Sequence, residues 1–108
     1  YATGIPFSGR IEDLPETIND LKKLMPKCSG VRRYGAAALD LAYVAAGRYE
    51  GYWERNLNNW DIAGGVIIAR EAGAMVESIS INGDPLTDGN IIAATEVQFN
   101  KFAKIIRE

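Results

Sequence analysis

The sequence predicts an α/β fold, a sheet flanked by helices, on three observations. Segments with strand character and segments with helical periodicity alternate almost strictly along the 108 residues. The chain is 47% hydrophobic and 24% charged, the balance of an ordinary soluble domain with a core to bury. No internal repeat, low-complexity tract or long linker divides it, so one domain, or part of one, accounts for the length.

The elements follow in order. "YATGIPF", Tyr1 to Phe7, has no initiator Met and reads as a strand already under way that stops at Gly4 and Pro6. The expectation is therefore a fragment, or the ordered part of something longer. Glu12 to Met25 reads as a helix: Pro15 suits a first turn, Ile18, Leu21, Leu24 and Met25 recur at helical spacing, and Pro26 ends the run. Val31 to Tyr34 is a short strand candidate. "AAALDLAYVAAGR", from Ala36, is a helix stopped at Gly47. It is apolar almost all round and so expected to be buried, with Asp40 as a hydrogen-bonded structural acid.

"YEGYWER", from Tyr49, carries the aromatics of a strand. A helix is expected from Trp60 to Ala72 with Gly73 at its C′ position. "AMVESI" is the next strand, and "NGDPLTDGN" is turn chemistry in which Asp84 and Asp88 bond the backbone. Ile91–Ala94 is the last strand. Glu96 to Arg107 closes with an amphipathic helix whose apolar side is Val97, Phe99, Phe102, Ile105 and Ile106.

Composition removes several classes of function. A net charge of −2 gives no basic footprint for direct nucleic-acid binding and no polybasic membrane signal. No apolar run approaches the ~20 residues of a spanning helix, and nothing reads as a signal peptide. Cys28 is the only cysteine, so no internal disulfide forms and a cytoplasmic home is expected. With no histidine, histidine-based acid–base, nucleophile and metal chemistry is excluded for these residues.

Asp61 is the sharpest chemical signal. A carboxylate in a first helical turn caps free N–H groups and meets the positive end of the dipole, worth roughly 0.5–2 kcal/mol. It is equally an oxygen ligand for a hard cation. Gly64 and Gly65 behind it thin the helix and let something approach the backbone, and Trp60 could fix the carboxylate. Glu54, after the aromatic run, is either a solvated strand-end charge or an acceptor for a hydroxyl-rich ligand. Gly35 before a helix is either a tight connection or a turn presenting bare N–H groups to oxygen. Lys22–Lys23 and Arg32–Arg33 read as solvated faces, although alternation would let one of the two arginines reach an anion.

"WDIAGGVIIAREAG", Trp60 to Gly73, resembles the C-terminal signature of the inositol monophosphatase family, W-D-x-A-x-G followed by an apolar stretch and E-A-G-G. "GAAALDLAYVAAGRYEGYWE", Gly35 to Glu54, resembles the segment just before it, especially in the bacterial branch that includes the extragenic suppressor proteins. "ATGIPF" matches a strand and turn earlier in the same half. The resemblance runs in order through nearly the whole chain.

It implies the C-terminal half of the layered α/β/α/β/α sugar phosphatase fold. Residues 1–108 would be the C-terminal α/β subdomain, with the N-terminal metal-binding half absent. It implies that the intact protein, a lithium-sensitive homodimer, hydrolyses inositol monophosphate or a related polyol phosphomonoester with Mg²⁺. By the same resemblance Asp61 is a metal ligand lying against a substrate hydroxyl, and Glu54 contacts inositol hydroxyls. Gly35 and Ala37 line the substrate site, and Trp60 is a positioning residue.

Two departures stand out. "EAGA" replaces E-A-G-G, with Ala74 last, at the far end of the helix from the chemistry. The D-P-[IL]-D-G-T block, which carries other metal-binding acids in the family, does not occur. These residues alone are therefore expected to bind Mg²⁺ poorly and to turn over nothing. Two other roles compete: partner binding to proteins of transcription and ribosomal RNA maturation, and phosphatase action on fructose 1,6-bisphosphate or a sulfated nucleotide.

Overall fold

Four strands form one mixed sheet in the order β1-β2-β4-β3: β1 (Ala2–Thr3), β2 (Gly51–Glu54), β3 (Met75–Ser78) and β4 (Ile91–Ala94). The structure is a computed structural model and describes residues 1–4, 14–33 and 35–108. Strand β1 runs parallel to β2, with Ala2 opposite Tyr52 and Thr3 opposite Trp53. Strand β4 runs against both of its neighbours, pairing Ile92 with Trp53 on one side and with Glu77 on the other. The predicted strand at 31–34 is reduced to one bridge between Arg32 and Ala2, and Tyr34 lies outside the described residues.

Helices cover both faces, which is why every residue of β4 is buried. Alternation along the strands sorts the side chains into two cores. On one face α2 (Ala37–Ala45) and α3 (Asn59–Glu71) bring Leu41, Val44, Ile62 and Val66 onto Tyr52, Ile91 and Ala93. On the other, α1 (Leu14–Leu24) and α5 (Glu96–Arg107) bring Leu24, Phe99, Phe102 and Ile106 onto Trp53, Ile92 and Ala94. Burial of such side chains stabilises by about 25 cal/mol for each Å² removed from water, the main force holding the layers together.

Several sequence expectations are corrected here. The first helix starts at Leu14, with the predicted start at Glu12 outside the described residues, and continues past Leu24 as a 3₁₀ turn, Met25–Lys27. Its inward side carries Thr17 and Asp20, while Ile18 and Met25 are exposed. Helix α2 is buried on one side only, since Leu39 is exposed. "NGDPLTDGN" contains one short helix, α4 (Pro85–Asp88), capped by the Asp84 carboxylate accepting from Leu86 N–H and closed by Gly89 at φ +72°. Val97 projects from the first turn of α5 into solvent, 89% exposed. Lys23 is half-buried and donates to the Ile106 carbonyl at 2.9 Å, tying α1 to the end of α5.

Strand β3 is one end of the sheet, and arginines occupy carbonyls along its edge. Arg70 donates to the Val76 carbonyl at 3.0 Å. Arg107 donates to the Ser78 and Ile79 carbonyls at 2.7 and 2.9 Å and to the Glu77 carboxylate at 3.0 Å. Among the described residues, no helix is long and apolar enough to cross a membrane.

Candidate active site

The loop from β2 to α3 delivers Asp61. Residues 89–90 pin that loop: the Leu57 N–H donates to the Gly89 carbonyl at 2.9 Å, and the Asn56 N–H to Asn90 Oδ1 at 3.0 Å. A side chain at Gly89 would collide with the Leu57 carbonyl, so the close approach requires glycine. Helix α3 then begins after Asn58, and Asp61, at its third position, accepts from the Asn58 N–H at 3.3 Å. The carboxylate thus caps its own helix through a long bond and is otherwise exposed. Trp60 is 76% exposed, so the loop and the cap, rather than the indole, fix the carboxylate. Gly65 is buried against the side chain of Leu41 in α2, whereas Gly64 faces open space. Only one of the two glycines thins a packed interface.

Glu54 ends β2. Its carboxylate lies directly against Gly4, where any Cβ would overlap it. Tyr52, two residues earlier on the same side of the strand, donates its buried hydroxyl to Glu54 Oε1 at 2.6 Å. Gly35, at φ +78°, turns the chain into α2, and Ala37 is the first residue of that helix. The Arg33 guanidinium lies beside Gly35, close enough that a Cβ there would be 3.3 Å from it. One arginine of the pair therefore does sit at this edge.

Asp40 departs from its expected role. It is fully buried, yet both carboxyl oxygens lack a hydrogen-bond partner among the described residues. Burial first, and the charge of Glu54 second, push its pKa up to about 6. The charges of Glu54, Asp40 and Asp61 all push the Tyr52 hydroxyl toward its protonated form, after the larger effect of burial. The charges of three acids, from β2, α2 and α3, therefore act on one buried phenol.

Sequence reading missed a second polar centre behind β2. Asp20 of α1, 1% exposed, accepts from Trp53 Nε1 at 3.1 Å and from Arg55 Nε and Nη2 at 2.9 and 3.0 Å. The hydrogen bond with Asp20 raises the Arg55 pKa further. This forked pair locks the chain just after Glu54. An acid on the helical stripe of Leu21 and Leu24 was the available signal.

Asp61 suits a divalent cation as an accessible oxygen ligand at a rigid helix start. Among the described residues no group of three acids or cysteines could hold an ion. A cavity of about 330 Å³ lies at the opposite ends of the parallel strands, lined by Lys27, Arg48, Glu50 and Lys101 among others. The acids instead lie at the carboxyl ends of β1 and β2, where open α/β sheets bind their ligands.

Residues 4–108 match the model of the inositol monophosphatase family. The chain belongs to that family. It is 46% identical over 105 residues to an inositol-1-monophosphatase of Mesorhizobium japonicum, covering 97% of this chain and 39% of the relative. It is 40% identical over 106 residues to the Nus factor SuhB of Pseudomonas aeruginosa, covering 97% and 39%. The crystal structure of the extragenic suppressor protein suhB from Bartonella henselae superimposes with a TM-score of 0.90 at 41% identity, covering 99% of this chain and 40% of that one. The chain thus spans about two fifths of the length of these relatives. The predicted α/β fold with helices on both sides of the sheet is the fold of the family.

Proposed function

We propose that this chain is the C-terminal half of a magnesium-dependent phosphomonoesterase whose intact form hydrolyses inositol monophosphate or a related polyol phosphate. One observation carries the reading: in a chain of the inositol monophosphatase family, Glu54 closes β2 with the buried Tyr52 hydroxyl donating to it, and the charges of Asp40 and Asp61 reach that same phenol. In this reading Asp61 gives a carboxylate oxygen to the metal and meets a substrate hydroxyl. Glu54 accepts hydrogen bonds from the polyol, and Gly35 and Ala37 form the thin backbone edge beside it. When bound, the metal neutralises phosphate charge and lowers the pKa of the attacking water. The other acids of the site come from the N-terminal half. A cytoplasmic, lithium-sensitive homodimer belongs to the same reading.

The test is Asp61→Asn in the intact protein. Asparagine keeps an acceptor for the Asn58 N–H but loses the anionic oxygen. Phosphate release from inositol monophosphate should fall by on the order of a hundredfold or more, with a cooperative thermal transition retained. Turnover within twofold of wild type would remove Asp61 from the metal site.

The Nus factor relative favours a second reading, a partner-binding role in transcription. Affinity capture with purified transcription factors, run on wild type and on Asp61→Asn, separates the two. Partner binding that survives the loss of hydrolysis supports a role independent of catalysis.

A further inference from the structure

Asp40 is a buried polar group that nothing described satisfies. Most buried polar side chains have at least one partner, and an unmade bond leaves a desolvation cost that a well-packed apolar residue would avoid. Both of its oxygens are enclosed, and neither has a partner among the described residues. Its place is not arbitrary. It stands on the first turns of α2, three residues beyond Ala37, and α2 packs on β2, the strand that ends in Glu54. Its charge is felt by Tyr52 and it feels that of Glu54. Tyr52 in turn donates to Glu54 Oε1 at 2.6 Å. Glu54 therefore receives a hydrogen bond from a phenol of its own strand and lies against Gly4, just past the neighbouring strand β1, and it faces the field of a buried acid from α2.

We propose that Asp40 is a positioning residue of the polyol-binding edge, acting through Glu54: a hydrogen-bonded bridge between the two carboxyl groups, through a shared proton or a buried water, fixes the direction in which Glu54 presents its oxygens. This rests on the reading of Glu54 as a substrate-hydroxyl acceptor. A carboxyl so placed sharpens the match to a ring of hydroxyls. It does so at the expense of stability, as site residues commonly do. Vicinal diols, which offer two donors at a fixed spacing, are the substrate class that such an oriented carboxylate rewards.

The experiment measures kcat and KM of the intact protein for inositol monophosphate and for glycerol 2-phosphate. The variants are wild type, Asp40→Asn, Glu54→Gln and the double substitution. Asp40→Asn should raise KM for inositol monophosphate about threefold to tenfold, with kcat within about twofold, and should shift KM for glycerol 2-phosphate less. In the Glu54→Gln background the same change should have little further effect, because the two residues act as a unit. The thermal midpoint should not fall. Asp40→Ala repeats the measurement without an amide in place of the carboxyl.

An unchanged KM in Asp40→Asn and Asp40→Ala, or an effect that multiplies undiminished onto that of Glu54→Gln, overturns the proposal. So does a parallel loss of midpoint, kcat and substrate affinity, which is the mark of a merely structural acid. If Glu54→Gln itself leaves KM unchanged, the substrate role of Glu54 fails first, and the inference falls with it.

Discussion

Asp40 departs from ordinary acid chemistry at the edge of the candidate site. Burial, reinforced by the charge of Glu54, lifts its pKa from 3.8 to about 6. Between those values the native protein keeps a proton that the unfolded chain has released. Native-state stability is therefore highest below the lower value and declines as pH rises through the upper one. Asp40→Asn abolishes that dependence. The stability gained by the variant should grow between pH 4 and pH 7, reaching at most about 3 kcal/mol. Urea midpoints of both proteins across that range check it, and a gap that stays constant with pH assigns the effect to packing instead. Asp61 contrasts with Asp40 in its exposure: it sits at a helix start with one long bond to the Asn58 N–H.

Helices α2 and α3 meet through Gly65. A Cβ at that position would stand 2.8 Å from Leu41 Cδ1, so alanine must drive the helices apart or rotate Leu41. Gly65→Ala should cost about 1–3 kcal/mol. At Gly64 nothing lies within 4 Å, and alanine there should stabilise by up to about 1 kcal/mol by removing backbone freedom from the unfolded chain. Thermal midpoints of the two single variants should move in opposite directions, and a shift of the same sign in both counts against the packing argument.

This is also the scale at which the sequence was most legible. Periodicity and stop signals located α3, with Gly73 just past its end at φ +91°, and set the bounds of α5 and β4. The site was legible in part. Asp61 and Glu54 stand at element ends, where a charge draws notice. Asp20 and Arg55 did not, because they pair with each other across 35 residues; Tyr52 did not, because it read as one aromatic of a strand and its hydroxyl's bond to Glu54 appears only in the fold. Asp40 was noticed as the one acid in an apolar helix, but its missing partner is a fact of three dimensions. Val97 fitted the helical stripe of α5 yet faces solvent in the first turn of that helix.

At the scale of the whole molecule, the chain builds a sheet with helices on both faces but leaves part of its helical surface apolar and bare. Trp60, Ile67 and Ile68 remain exposed along α3. They recur at the spacing of one helical side, an apolar stripe that other protein surface would normally cover. On the proposed reading, in which Asp61 is the ligand from this half, residues 1–108 alone should bind Mg²⁺ too weakly to register calorimetrically at millimolar metal. They should release no phosphate from inositol monophosphate above the blank. Measurable turnover by the isolated chain would place the acids needed for hydrolysis within it. The outer border of the sheet has a different consequence. Strands left bare at a margin invite recruitment of a second chain. Along β3 the guanidinium groups of Arg70 and Arg107 already hold the carbonyls such an intruder would seek. Crowded copies therefore meet fewer free acceptors there, and growth along that margin is disfavoured.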